Sequence, residues 1–151
     1  MVANDGTDLV RQFWEKAFYD PGTFAGMDDT FAADHALHDL AYDETRTLDD
    51  LKRIVSDVHT MLNGTRVVID DQVVFGEGNV VTHLTVQFPA EYAANAAQVS
   101  EPTNASVDYK GITISRVSEG KIRESWLLWD AKRAAEEIVS PLDPWRWPPW
   151  R

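Results

Sequence analysis

The chain has 151 residues, and its 25 Asp and Glu residues outnumber its 14 Lys and Arg residues, which gives a net charge of −11. This charge repels phosphate backbones and anionic lipid surfaces, so we expect neither nucleic-acid binding nor membrane binding. The chain has no cysteine, which excludes disulfides and Cys-zinc sites, and its N-terminus lacks a signal peptide, so we expect a soluble cytoplasmic protein.

The N-terminal part of the chain predicts two helices and an extended stretch. The first helix is capped by Asp5 or Thr7 and ends at Pro21-Gly22. A second, short helix is predicted over residues 23–33, and residues 34–42 are predicted to be extended. The apolar stripe of the first helix consists of Leu9, Val10, Phe13, Trp14, Ala17 and Phe18.

A third helix begins at Thr47, which forms a capping box with Asp50. Asn63-Gly64 ends this helix, because glycine readily adopts the left-handed conformation that follows a helix. The buried stripe of the helix consists of Leu48, Leu51, Ile54, Val55, Val58 and Leu62.

Beyond the third helix, the period at which apolar residues recur changes from 3.6 residues to 2 residues, which predicts strands. Turn sequences at residues 76–79 and 118–120 indicate antiparallel hairpins, and residues 89–106 predict a long loop. A last short helix is expected after Asp130. The predicted strands cover residues 66–70, 72–75, 80–88, 107–117 and 122–129.

Helices followed by antiparallel strands indicate an α+β fold, in which the helices cover one face of a curved sheet and leave an apolar cavity. Residues 140–151 contain three Trp and four Pro, which excludes a helix or a central strand. We expect this tail to cover an apolar face of its own chain or of a partner subunit, or to help close the cavity.

The last predicted hairpin, residues 107–130, resembles that of the SnoaL-like polyketide cyclases of the nuclear-transport-factor-2-like superfamily. The matching features are the Arg116 strand, the Glu-Gly-Lys-Ile turn at 119–122, Glu124, Trp126 and Asp130. The resemblance implies a cone-shaped α+β barrel over residues 1–139, with residues 140–151 as a separate tail. The chain departs from the family pattern at residues 87–91 and at Asn104, both near the expected cavity mouth.

The resemblance implies that Asp130 is the catalytic general acid or base. Strand alternation places it on one face with Glu124, Trp126 and Leu128, and a carboxyl that faces an apolar cavity has a raised pKa, which suits proton transfer near neutral pH. The alternative is that Asp130 only caps the helix that follows.

Two histidines are the other candidate catalytic residues. His38 lies where the superfamily often has an acid or base, and His83 shares a strand face with Thr85 and Gln87 that is either inside the barrel or exposed to solvent. A surface or structural role is the alternative for His38. The residues expected to contact the substrate are Trp14, His35, Asp39, Tyr42, Trp126, Trp129 and Arg116.

The leading hypothesis is a cyclase that closes a ring in a hydrophobic polyketide by aldol-type or cycloaddition-type chemistry. The alternatives are an isomerase or epoxide hydrolase that acts on a small lipophilic substrate, and a non-catalytic binding or assembly module. The sequence contains no phosphate-binding loop, dinucleotide fingerprint or metal-binding motif, so we expect neither a cofactor nor a metal. The resemblance also implies a homodimer that pairs through the outer face of the sheet.

Overall fold

The computed structural model describes residues 6–18, 20, 22–92 and 106–138. Four helices lie among these residues: α1 Thr7–Lys16, α2 Gly22–Thr30, α3 Leu48–Met61 and α4 Ala131–Glu137. The six strands are β1 Phe31–Asp39, β2 Glu44–Thr47, β3 Arg66–Phe75, β4 Asn79–Pro89, β5 Ser106–Ser118 and β6 Lys121–Trp129. The predicted α+β class is confirmed. No helix in these ranges is both long enough and apolar enough to cross a membrane.

The six strands form one curved sheet in the order β2-β1-β6-β5-β4-β3. All neighbouring strands pair antiparallel except β1 and β6, which run parallel. The two hairpins predicted from the turns at residues 76–79 and 118–120 are confirmed. The parallel pair joins the N-terminal strand to the C-terminal one and brings residues from both halves of the chain onto one face.

Alternation along each strand separates an inner face from an outer face. On β4, Leu84, Val86 and Phe88 are buried on the inner face, whereas His83 is exposed on the outer face. The apolar stripes of α1 and α3 pack against the inner face, because each helix needs to bury one side. The core therefore lies between these helices and the concave side of the sheet.

The structure differs from the predicted elements most clearly in three places. The second helix ends at Thr30 rather than at residue 33, because the β-pattern of β1 already begins at Phe31, which is buried. Strand β2 is too short to give a periodic signal, and the sequence did not predict it. The segments predicted at 66–70 and 72–75 form one strand, in which a bulge between Ile69 and Asp71 shifts the register.

The helix caps agree with the prediction for α3 but not for α1. Thr47 Oγ1 accepts from Asp50 N at 3.1 Å and Asp50 Oδ2 accepts from Thr47 N at 2.9 Å, which confirms the capping box. Gly64, with φ of 95°, follows the end of α3 in the left-handed conformation, as predicted. The N-cap of α1 is Gly6, without a side-chain cap, rather than Thr7, and the other candidate, Asp5, lies outside the described residues.

The long loop and the tail lie mostly outside the described residues. Residues 90–92 of the loop form a short 3-10 turn, and residues 93–105 are not described. The predicted tail at 140–151 also falls outside the described ranges, so its role and the boundary at residue 139 stay predictions.

Candidate active site

A pocket of about 70 Å³ lies between α1, α3 and the inner face of the sheet. Within the described part of the chain, its walls are aliphatic or aromatic apart from three polar side chains, Asp39, Tyr42 and Arg46. Helix α3 supplies one wall through its buried stripe, and β1, β4 and β6 supply the opposite wall. The apolar lining consists of Phe13, Trp14, Phe18, Leu37, Leu51, Ile54, Val55, Val58, Leu62, Leu84, Val86, Phe88, Leu127 and Trp129.

The polar part of the pocket is a buried ion pair between Asp39 and Arg46. Arg46 Nε and Nη2 both donate to Asp39 Oδ2, at 3.1 and 2.9 Å, and the Arg46 side chain is only 2% exposed. Asp39 Oδ1 accepts from the backbone N–H groups of Ala41 at 3.1 Å and of Tyr42 at 3.4 Å. Arg46 Nη1 also lies 3.3 Å from Oε2 of Glu44. The carboxylate therefore receives four donors and holds the guanidinium in one place.

This pair is a product of the β1–β2 hairpin. Asp39 ends β1 and pairs in register with Glu44, the first residue of β2, and Arg46 lies two residues further along the same strand. Because successive residues on a strand alternate faces, Arg46 has the same orientation as Glu44. The short turn at 40–43 brings Tyr42 to the same edge of the pocket.

Aromatic rings close one end of the pocket. The ring centroids of Phe88 and Trp129 are 6.2 Å apart, and Trp129 lies 6.3 Å from Tyr109 in an edge-on arrangement. The Tyr109 hydroxyl donates to Glu137 of α4 at 2.8 Å, and burial raises the pKa of Tyr109 so that the phenol stays neutral. Helix α4 is therefore tied to the aromatic end of the pocket.

Asp130 does not face the pocket, so the prediction that its carboxyl faces an apolar cavity is wrong. The alternation predicted along β6 is confirmed, but Trp126 and Leu128 lie on the outer face, whereas Leu127 and Trp129 line the pocket. The Asp130 side chain is 47% exposed and lies 3.3 Å from Arg133. It occupies the N-cap position of α4 but makes no side-chain cap hydrogen bond. Its catalytic role stays a prediction that the geometry does not support.

His38, Trp126 and Arg116 form a separate cluster on the outer face. The His38 ring stacks on Trp126 at 5.1 Å, and the Arg116 guanidinium lies 5.2 Å from the centre of the same indole. Glu124 bridges the two, at 2.7 Å from His38 Nε2 and 3.0 Å from Arg116 Nη1. Thr45 Oγ1 lies 3.3 Å from His38 Nδ1. The cluster is therefore on the face opposite the pocket.

His83 also lies on the outer face, so the polar row of β4 is not inside the barrel. Its strand neighbours Leu84 and Val86 have the inward positions and line the pocket. Of the two placements that the sequence left open, the structure shows the solvent-facing one.

His35 is buried but lies outside the pocket lining. Its Nε2 is 2.9 Å from Ser125 Oγ, and its ring packs edge-on against Phe31. Burial lowers the pKa of His35 to about 4, while the negative charge of Glu124 raises it slightly. A neutral histidine in these surroundings fits a structural role, and its contact with substrate stays a prediction.

The structure thus brings four of the predicted site residues together at the pocket: Trp14, Asp39, Tyr42 and Trp129. Arg46 was not predicted. Its signal in the sequence was weak, since a single arginine in a polar four-residue strand is indistinguishable from a surface residue until the hairpin places it over Asp39. No group of three or more metal-ligating side chains occurs within the described ranges.

The sequence and the fold were compared with known proteins. A search of curated proteins gave no significant match. Among solved structures, IdmH of Streptomyces antibioticus, a candidate polyketide cyclase, superposes with a TM-score of 0.67 at 18% identity, covering 83% of this chain and 92% of its own. A candidate SnoaL-like cyclase of Jannaschia sp. CCS1 gives a TM-score of 0.69 at 14% identity, covering 91% and 94%.

A third structure, a candidate polyketide cyclase of Bacillus cereus, gives a TM-score of 0.66 at 21% identity, covering 89% of this chain and 80% of its own. At these identities the structural likeness shows the fold. The family model described as SnoaL-like polyketide cyclase matches residues 8–138, which include every strand that forms the pocket. The chain therefore belongs to the SnoaL-like polyketide cyclase family.

Proposed function

We propose that this protein is a cofactor-independent cyclase that closes a ring in a hydrophobic polyketide intermediate bound in the pocket. The observation that carries the proposal is an apolar pocket that contains one fixed ion pair, in a chain of a cyclase family. Apolar walls bind a hydrophobic chain by removing its surface from water. Holding the chain in a near-attack geometry lowers the entropic part of the barrier to ring closure.

Two ring-closing chemistries place different demands on the pocket. In an aldol closure, a base removes a proton from an activated carbon, the enolate attacks a second carbonyl of the same chain, and the alkoxide takes up a proton. In a cycloaddition-type closure, bonds form without a proton transfer, and the protein supplies shape and polarisation. Asp130 lies outside the pocket and Asp39 already accepts four hydrogen bonds, so neither carboxylate is placed as a base. This arrangement favours the second chemistry.

The narrowness of the pocket supports a second candidate. Sites for drug-sized ligands have volumes of about 300–1,000 Å³, well above the 70 Å³ found here. A small lipophilic substrate fits this space more readily than a long polyketide, which favours an isomerase as the alternative. The two candidates share the pocket and differ in the size of the molecule that enters it.

The test is to fill the pocket with a larger side chain and follow ring closure. Val55 lines the pocket and its neighbour Ser56 is exposed on the same helix. We expect Val55→Phe to abolish turnover of linear polyketide intermediates, whereas Ser56→Phe leaves turnover unchanged. Product formation is measured by mass spectrometry on a panel of poly-β-ketone and polyene substrates, and thermal unfolding checks that both variants fold. Equal turnover by the two variants would place the reaction elsewhere.

We also propose that two copies of the chain pair through the outer face of the sheet. Val73, Ile112 and Leu128 on this face are each about half-exposed, and Ile112 and Leu128 are direct cross-strand neighbours. With strands about 4.8 Å apart and about 3.3 Å per residue, the face measures roughly 24 by 30 Å. Its area of roughly 700 Å² approaches the ~800 Å² that each partner contributes to a standard interface.

A further inference from the structure

Among the described residues that line the pocket, Arg46 is the only cationic one, and its position is fixed by Asp39. Two of its nitrogens donate to one oxygen of Asp39, whose other oxygen is held by backbone N–H groups of the 40–43 turn. A donor that is already aligned needs no reorganisation when negative charge develops on a nearby oxygen. In an apolar pocket such a hydrogen bond is also stronger than it is in water.

A buried ion pair is weak evidence for a role in stability. A buried ion pair surrounded by apolar residues is often no more stabilising than a hydrophobic pair of the same volume, because both charges lose their hydration. Leu37 is the cross-strand partner of Arg46, and the described pocket lining is mostly aliphatic or aromatic, so apolar side chains at both positions would have apolar surroundings. The presence of the pair therefore points to a role in binding or in chemistry.

The charges around Arg46 indicate which ligand group it recognises. Asp39 and Glu44 both lie within 3.3 Å of the guanidinium, so the three side chains together carry a net negative charge. This balance disfavours a carboxylate in the pocket. A neutral carbonyl oxygen accepts a hydrogen bond without adding charge to this group of side chains.

We infer that Arg46 binds the carbonyl oxygen of a neutral, lipophilic ketone or acyl substrate, and that Asp39 is the residue that positions Arg46. The inference rests on the proposed use of the pocket and adds to it the class of substrate and the group that polarises it. Hydrogen bonding to a cation withdraws electrons from the carbonyl, which activates the conjugated partner for ring closure. Asp39 acts through Arg46 and does not touch the substrate.

The experiment uses acetophenone, labelled with ¹³C at the carbonyl, as a small neutral ketone, and ethylbenzene as a hydrocarbon of the same shape. Binding is followed by the fluorescence of Trp14 and Trp129, which both line the pocket. The carbonyl stretching band is followed by infrared difference spectroscopy. The key variant is Asp39→Leu/Arg46→Met, which removes both charges together and so leaves no unpaired buried charge.

We expect the double variant to bind acetophenone about tenfold more weakly than the wild type, as expected for the loss of a hydrogen bond to a charged group. Its affinity for ethylbenzene stays unchanged, and its carbonyl band moves to higher frequency. Asp39→Asn keeps the shape of the side chain but aligns Arg46 less firmly. We therefore expect its carbonyl band to be broadened and to lie between the bands of the wild type and the double variant. Lys52→Met removes a cation that pairs with Asp28 away from the pocket and changes neither measurement.

Three results would overturn the inference in different ways. If acetophenone binds but its band is the same in the wild type and the double variant, Arg46 does not contact the carbonyl, and the pocket remains the proposed site. If neither acetophenone nor ethylbenzene binds, the proposed use of the pocket fails, and the inference fails with it. Tighter binding of benzoate than of acetophenone would also contradict the assignment of a neutral substrate.

Discussion

At the scale of single residues, His35 couples the stability of the fold to pH. Its pKa in the folded protein is about 4, because the ring is buried beside Phe31 and Ser125. The pKa in the unfolded chain is the ordinary 6.5. Between these values the unfolded chain binds more protons than the folded one, so the free energy of unfolding is greatest above pH 6.5 and falls as the pH falls.

We therefore expect the wild type to lose roughly 2 kcal/mol between pH 7 and pH 5 through His35 alone, and about 3 kcal/mol once the pH is below 4. His35→Gln keeps a hydrogen-bonding partner for Ser125 but does not titrate, so its unfolding free energy falls less over this range. Urea unfolding at pH 7 and pH 5 measures the difference. His83→Gln, at an exposed position, serves as the control and should behave like the wild type.

A His35→Gln protein whose stability falls as steeply as that of the wild type would show that other groups dominate. The charges that act on His35 are Glu124 and Asp34, which raise its pKa, and His38, which lowers it. All three effects are smaller than that of burial. The acid sensitivity thus reflects loss of hydration around one ring.

At the scale of elements, the N-terminus of α3 controls one wall of the pocket. The capping box of Thr47 and Asp50 satisfies backbone donors at the start of the helix that carries Leu51, Ile54 and Val55. We expect Thr47→Ala to lower the free energy of unfolding by about 1 kcal/mol. Thr60→Ala, at an exposed position later in the same helix, should be neutral or slightly stabilising, because alanine is the better helix former.

Chemical denaturation compares the two variants. A Thr47→Ala protein as stable as the wild type would mean that α3 is held by its buried stripe alone. Because α3 lies over the pocket, loss of the cap should also weaken the binding of apolar ligands. Weaker ligand binding would show that the cap shapes the pocket wall, whereas unchanged binding would show that it affects only the free energy of unfolding.

The sequence predicted elements well where the signal was periodic and local. The apolar stripe of α3 and its capping box, and the hairpin turns before Asn79 and Lys121, follow from residue spacing and turn chemistry. The prediction from sequence failed where packing between distant parts of the chain decides which element forms. The short strand β2 is defined by its pairing with β1, and Phe31 is strand rather than helix because β1 also pairs with β6.

The same limit explains the errors in the candidate site. Alternation correctly separated Asp130 and Trp126 from Leu127 and Trp129, but period 2 does not say which of the two faces is concave. The family resemblance led us to predict that the face with Asp130 is the concave one. The pair of Asp39 and Arg46 depends on a tight turn between two strands, and only half of it was predicted.

At the scale of the whole molecule, the outer face of the sheet carries the half-exposed apolar residues Val73, Ile112 and Leu128, and we propose that this face is the dimer interface. We expect Ile112→Lys to convert a dimer into a monomer, because a buried charge without a partner is costly in the centre of an interface. Sedimentation velocity measures the oligomeric state. Phe24→Lys changes an exposed aromatic residue on α2, away from the sheet, and should leave the dimer intact. A wild-type protein that sediments as a monomer would contradict the proposal.

The parallel pairing of β1 with β6 has a consequence for how the protein is made. His35 and Ser125, which bond across this pair, are 90 residues apart. On the ribosome, the first three helices and the β1–β2 hairpin emerge long before β6, so the apolar residues that pack against β6 stay exposed until that strand has been synthesised. The pocket cannot exist in a nascent chain that lacks β6, because Leu127 and Trp129 form part of its wall. The pocket is therefore complete only after β6 has been synthesised, and we expect a chain that stops before residue 121 to expose its core to chaperones and proteases.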